Sequence, residues 1–288
     1  MSIFTETVTY SPFKYPWAME GLVEHAQDLF WETNQVDMVD DKRQFHAEGG
    51  LDTENVPHEV TKNILEKVLA VFTQMDIAAG ALYTKLMPHV GNNEIRGLWL
   101  NFAQRETVHY RAYAMGVEVL DFPESTWGEF MRYKEMQDKI DLMTVDAHTD
   151  LSKPINFAKC LAQLLLAEGI CLFGAFAIML NLKRYGLMMG LNLINEWSLR
   201  DESRHVEYNI RVLNEVRKDL TAEENKELDV FIREITAKFA EAEMEFIELV
   251  FQIGDLEDLT KEDMKQYIRY LCNVRLGDLG QDALFKGV

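Results

Sequence analysis

Over most of its 288 residues the chain repeats apolar positions three and four apart, a spacing that predicts helices almost throughout. After an irregular start, residues 19–32 (MEGLVEHAQDLFWE) carry the pattern. It returns over His58–Leu86, where Val60, Ile64, Leu65, Val68, Phe72 and Met75 make an apolar stripe and Pro88 marks a stop. Asn92 and Asn93 suit the cap of a helix running to about Leu120, ahead of Pro123. Residues 125–148 read as a more polar helix. Pro154, at home in a first helical turn, opens an apolar helix that continues to about Tyr185, before Gly186. Residues 187–220 are helical again. Thr221 with Glu224, and Thr260 with Asp263, form capping boxes for two last helices. Strand-like alternation, hairpin turns and low-complexity linkers are absent, and no break in composition divides the chain. The expected architecture is one all-α domain over residues 1–288.

Composition agrees with helices and removes some functions. Gly (16) and Pro (6) are scarce, Met (14) is plentiful, and 48% hydrophobic residues suffice for a large core. A net charge of −19 repels phosphate backbones and anionic lipid, so neither nucleic acid nor a membrane surface is an expected partner. Cys160, Cys171 and Cys272 form neither a CxxC pair nor an even framework, which fits a reducing, cytoplasmic setting. The N-terminal MSIFTETVTYSPFKYPW lacks a charged region followed by an apolar run, so no signal peptide is expected.

Residues 161–180 (LAQLLLAEGICLFGAFAIML) match the ~20 apolar residues of a membrane span. Glu168 lies inside that run, and a carboxylate at such depth is expensive without a partner. The centre of a large helical bundle also needs a helix that is apolar all round. A buried helix is the expectation, and it leaves Glu168 in need of a counter-charge.

An internal correspondence supplies one. Glu-x-x-His occurs twice, as Glu106 with His109 and as Glu202 with His205. Asp76 lies 30 residues before the first copy, and Glu168 lies 34 before the second. Positions i and i+3 share a helix face, so each Glu and His can reach a metal between helices. One carboxylate from each of two helices, with Glu-x-x-His from each of two others, is the dinuclear site of ferritin-like bundles. Here one single carboxylate is Asp. Four carboxylates carry −4 and two divalent cations carry +4, which removes the penalty of burying Glu168. Oxygen and imidazole donors without thiolate suit iron or manganese better than structural zinc. One Glu-x-x-His alone is commonly a solvated pair, and a lone buried Glu is often satisfied by Arg or backbone. Two of only seven histidines completing matched halves is a different matter. His25, His46, His58, His89 and His148 have no such company and read as surface or structural.

Tyr113 follows His109 by four and Glu106 by seven, on the same stripe one turn further along. With this tyrosine the sequence resembles the small, radical-generating subunit of class I ribonucleotide reductase over about residues 10–286. The matching stretches are Asp76 as a short first ligand, ETVHYRAY with Tyr113 at the radical position, AEGICLFGAF with Glu168, RDESRH with Asp201 beside Glu202, and LFWETNQVD with Trp31. The resemblance implies that Asp76, Glu106, His109, Glu168, Glu202 and His205 hold two irons per chain, with manganese or a mixed pair as substitutes. It implies that dioxygen serves to oxidise Tyr113, and that the hole passes through His109, Asp201 and Trp31 to the large subunit, which reduces ribonucleoside diphosphates. A homodimer is implied as well. Leu172 stands where many members have Phe, and Tyr110 adds a phenol that points off the ligand face at ~100° per residue. The sequence ends at GQDALFKGV, where the family usually continues into a tail with a tyrosine and a docking segment, so trimming or a different mode of docking is expected. A ferritin-like storage protein needs none of Tyr113, Trp31 and Asp201 in these places. A di-metal oxidase or desaturase of the superfamily, the alternative reading, usually has Glu as its first ligand.

Overall fold

The structure, a computed structural model, describes residues 2–288 apart from 8, 10, 124, 126, 127 and 129–131. Among the described residues there is no β-strand; Leu256 and Leu259 make one isolated bridge. Four helical rods enclose the centre of the molecule. They are α3 (His58–Leu86), α4 (Asn93–Val119), a rod built of α6 (Pro154–Leu166) and α7 (Phe173–Arg184), and α8 (Met189–Arg217). Helix α3 lies along α4, α4 against α8, α8 against the α6–α7 rod, and that rod closes back on α3. Outside them, α9 (Ala222–Val250) and α10 (Lys261–Asp278) pack on each other and on the α6–α7 side, and α1 (Pro16–Val23) crosses α4.

Local chemistry sets the helix ends. Asn92 caps α4 by accepting the Ile95 N–H at 3.0 Å. Thr221 and Glu224 exchange hydrogen bonds as a capping box at the start of α9, and Thr260 with Asp263 does the same for α10. Between α6 and α7 the chain does not run on as one regular helix, as the apolar pattern predicts. Residues Ala167–Cys171 widen into a π-turn around Glu168. The apolar span Pro154–Arg184 is long enough to cross a membrane by length and composition, yet 83% of its most apolar window is buried inside the bundle.

The helix expected over residues 19–32 starts earlier, at Pro16, and its winding ends in a π-turn at Glu24–Asp28. Trp31 therefore sits beyond it, held by side-chain contacts. The polar helix expected over 125–148 lies partly outside the described residues. Within them it is α5 (Lys134–Met143), and the Asp146 carboxylate then folds the chain into a turn by accepting the His148 N–H at 2.8 Å. Helix α8 begins two residues late, after Met188 takes a left-handed φ of 53°. A short helix, α2 (Val39–His46), has no apolar stripe to announce it. Its anchor is Asp41, which accepts the N–H groups of Gly190 and Leu191 at the start of α8.

Candidate metal centre

The six residues singled out by the sequence converge in the middle of the four rods. Asp76 comes from α3, Glu106 and His109 from α4, Glu168 from the π-turn, and Glu202 and His205 from α8. All six are buried, none more than 2% exposed. Their ligand atoms form two groups, Asp76–Glu106–His109–Glu202 and Glu106–Glu168–Glu202–His205, each with its atoms within 4.8 Å of one another. Glu106 and Glu202 belong to both groups. Residues shared in this way would let two cations be held side by side between the same pair of carboxylates.

Hydrogen bonding leaves this cluster unsatisfied. Both oxygens of Glu106 and of Glu202, Oδ2 of Asp76, Oε1 of Glu168, Nδ1 of His109 and both ring nitrogens of His205 are buried without a hydrogen-bond partner. Orphaned buried polar atoms in such numbers are rare in proteins, and here each of the six residues turns at least one of them towards the others. The Nδ1 atoms of both imidazoles face the carboxylates: His109 Nδ1 lies 3.1 Å from Glu202 Oε1, and His205 Nδ1 lies 3.0 Å from Glu106 Oε1. The donor set therefore fits a pair of divalent cations.

Electrostatics say the same. Burial raises Asp76 well above the carboxylate range, and it raises Glu168 to about 8 because His205 offsets only part of the desolvation. Burial pushes Glu106 up too, but the His109 and His205 imidazoles beside it outweigh that and hold this carboxyl at about 2. Both imidazoles are desolvated, which lowers them, yet their carboxylate neighbours leave each well above the usual histidine range. Without metal the histidines keep protons that cations would displace.

Around the ligands stand side chains that orient them. Asp201 Oδ2 accepts from Trp31 Nε1 at 2.8 Å and from Arg105 Nε at 3.2 Å, and it lies 3.1 Å from His109 Nε2. A proton held on Nε2 by Asp201 would leave Nδ1, once deprotonated, free to bind metal. The Trp31 indole stacks on the His109 ring with centroids 5.7 Å apart and planes 12° apart. On the other side, Tyr83 donates to Glu168 Oε2 at 3.1 Å. Asn209 bridges Tyr83 and Glu168, and Trp99 donates to Asn209 at 2.9 Å.

Tyr113 is fully buried and its hydroxyl has no hydrogen-bond partner. Burial raises that phenol well above its ordinary value; the Ser198 hydroxyl eases the rise, and Asp76 and Glu202 add to it. The ring stacks on Phe72 at 4.1 Å with planes 7° apart, and Phe72 stacks in turn on Phe176. Tyr110 is half-buried, off the ligand face as its helix position predicts.

Sequence reading put Phe72 on the apolar stripe of its helix but did not connect it with Tyr113. The signal was present, since Phe72 precedes Asp76 by four and shares its stripe. Tyr83 and Asn209 carry the same kind of signal, at seven after Asp76 and four after His205. Arg105 offers none, because a charged residue beside a ligand normally points to solvent. His25, expected to be surface or structural, is not at the surface. It is fully buried, with its ring 5.3 Å from that of His205.

A family model for the ribonucleotide reductase small chain matches residues 7–288. The chain is 30% identical over 324 residues to a protein of Invertebrate iridescent virus 6 named a probable ribonucleoside-diphosphate reductase small subunit, covering 99% of this chain and 86% of that one. Its fold is similar to that of the ribonucleotide reductase R2 subunit from Clostridium botulinum, with a TM-score of 0.84 at 18% identity over 100% of this chain and 90% of the other. It is also similar to the dimanganese(II) NrdF of Streptococcus sanguinis, with a TM-score of 0.79 at 17% identity over 98% and 95% of the two chains. With the family matched along almost its whole length, the chain belongs to the ribonucleotide reductase small-chain family and is the small subunit of a ribonucleoside-diphosphate reductase.

Proposed function

We propose that the single domain formed by residues 1–288 holds two metal ions on Asp76, Glu106, His109, Glu168, Glu202 and His205, and generates a radical on Tyr113. Iron is the expected metal, and manganese or a mixed pair suits the same oxygen and nitrogen donors. The observation that carries the reading is the sharing of Glu106 and Glu202 between two buried ligand groups. When bound and reduced, such a pair supplies the oxidising power of dioxygen.

The remaining chemistry belongs to the chain. Tyr113 gives up one electron together with its phenolic proton, and Asp76 and Glu202, the carboxylates whose charge acts on its hydroxyl, are the candidate acceptors of that proton. Phe72 and Phe176 keep water and reductants from the oxidised ring. Asp201 ties the His109 imidazole to the Trp31 indole through one oxygen, so the electron vacancy has a hydrogen-bonded route away from the core. The route leads to the large subunit. The chain works as a homodimer in the cytoplasm, as the family resemblance implies.

The test is reconstitution. Metal-free chain should be inactive with its large subunit, and ferrous iron in air should restore reduction of ribonucleoside diphosphates. Oxygen uptake with restored metal content but no nucleotide reduction would move the oxidase reading ahead.

A further inference from the structure

Trp31 is almost wholly buried, at 2% exposure, so it does not itself meet a donor outside the chain. A second indole lies against it. Trp197 stands four residues before Asp201 on α8, hence on the same stripe one turn earlier. Its ring centroid is 5.3 Å from that of Trp31, with 42° between the planes, within the range of aromatic rings in contact. Unlike Trp31, Trp197 is partly exposed. His109, Trp31 and Trp197 thus form an unbroken run of rings from a ligand imidazole to the molecular surface.

The inner indole is clamped. Its N–H donates to Asp201, its backbone carbonyl accepts from Arg105 Nη1 at 3.0 Å, and the Arg105 guanidinium lies 4.9 Å from the ring centroid. A cation over the ring face stabilises the neutral indole and opposes a positive charge on it. Asp201 offsets part of that opposition. At Trp197 water can solvate a developing charge. The gradient therefore favours the vacancy on the outer ring.

We propose that Trp197 is the outer member of a two-tryptophan electron path, passing single electrons between a donor outside the chain and Trp31. The proposal rests on the reading of Trp31 as the inner relay. Trp31, one electron short, takes an electron from Trp197 and returns to its closed-shell form with its N–H still on Asp201. Trp197 becomes the radical cation. A one-electron donor then restores it: ascorbate or ferrous ion in the test tube, a redox-active side chain of the large subunit in the complex. A residue serving only to cover Trp31 would need bulk, not an oxidisable ring.

The experiment uses metal-free protein, so its outcome does not depend on Tyr113 or on bound metal. A bulky photo-oxidant, tris(bipyridine)ruthenium with a sacrificial quencher, abstracts electrons from outside, and mass spectrometry maps the oxidised tryptophans. In the parent both Trp197 and Trp31 should be modified. Trp197→Phe should lower modification of Trp31 severalfold, and Trp197→Tyr, which keeps an oxidisable ring, should restore it. Trp31→Phe should leave Trp197 modification unchanged. Equal or greater modification of Trp31 in Trp197→Phe, with an unchanged melting temperature, would overturn the proposal while leaving the assignment of Tyr113 intact. Failure of the Tyr113 assignment would show instead as a missing tyrosyl signal in the iron-loaded parent.

Discussion

Glu106 and Glu202 bring four buried oxygens with no hydrogen-bond donor into one cluster, and each carboxylate serves both ligand groups. Removing a shared ligand should therefore damage both positions, whereas Asp76 belongs to the first group only. By elemental analysis the parent should hold about two transition-metal ions per chain. Glu106→Ala should lose most of both, His205→Ala should lose chiefly the second, and Asp76→Ala should keep about one. Full metal content in all three would discard the ligand assignment. His25 offers a separate test through pH. Burial, then repulsion from His205, lowers its pKa from 6.5 to about 3. A base depressed in the fold stabilises it fully above the unfolded value of 6.5, and that contribution is lost as pH falls towards about 3, because the unfolded chain takes up the proton first. Unfolding metal-free parent and His25→Leu in urea at several pH values should show the parent's relative stability shrinking across that window. A difference independent of pH would mean that the fold does not lower the His25 pKa, and parent stability that grows relative to the variant as pH falls would mean that His25 carries a proton in the fold.

Between α6 and α7 the π-turn places Glu168, and two cations from outside the four rods hold that turn. Arg275 Nε donates to the Gly169 carbonyl at 3.1 Å, and Lys139 Nζ donates to the Cys171 carbonyl at 3.0 Å. Lys139 also pairs with Glu243 at 2.5 Å, both fully buried. A Cβ on Gly169 would meet Arg275 Nε at 2.7 Å and Cδ at 3.0 Å, too close without displacement of that side chain. Lys139→Met leaves Glu243 buried without its counter-charge, and losses of roughly 3–5 kcal/mol are usual for such a broken pair. Urea unfolding should show that loss, and pairing Lys139→Met with Glu243→Leu should recover much of it. No recovery would assign the effect to the lost contact with the Cys171 carbonyl. This element marks the boundary of what the sequence could say. Long rods such as His58–Leu86 were legible because each repeats an apolar stripe, and the boxes at Thr221 and Thr260 because capping needs particular oxygens. The π-turns at Glu24–Asp28 and Ala167–Cys171 were not legible. A single extra residue per turn leaves apolar composition unchanged, and the contacts that hold Ala167–Cys171 come from Lys139 and Arg275, far away in sequence. The six clustered residues were legible because Glu-x-x-His spacing converts directly into one helix face, and Asp76 and Glu168 each precede one copy by a similar length of chain. Arg105 and Trp197 were not, because their roles depend on how α4 and α8 meet the loop carrying Trp31.

Taken as a whole, the molecule sets two buried phenols beside the ligand cluster on opposite terms. Tyr83 has its hydroxyl engaged, donating to Glu168 and accepting from Asn209, whereas the Tyr113 hydroxyl has no hydrogen-bond partner and its ring lies against Phe72. A phenol that is to lose an electron and keep the vacancy needs shielding from water, and Tyr113 is fully buried. Phenylalanine fills nearly the same volume, so Tyr113→Phe should fold and bind metal as the parent does. The most direct measurement is low-temperature EPR of parent, Tyr113→Phe, Tyr110→Phe and Tyr83→Phe after loading with ferrous iron in air. A persistent tyrosyl signal should form in the parent and in the Tyr110 and Tyr83 variants, and should be absent from Tyr113→Phe at equal metal content. A signal that survives in Tyr113→Phe and disappears from one of the other variants would contradict the account and give the radical to that tyrosine instead.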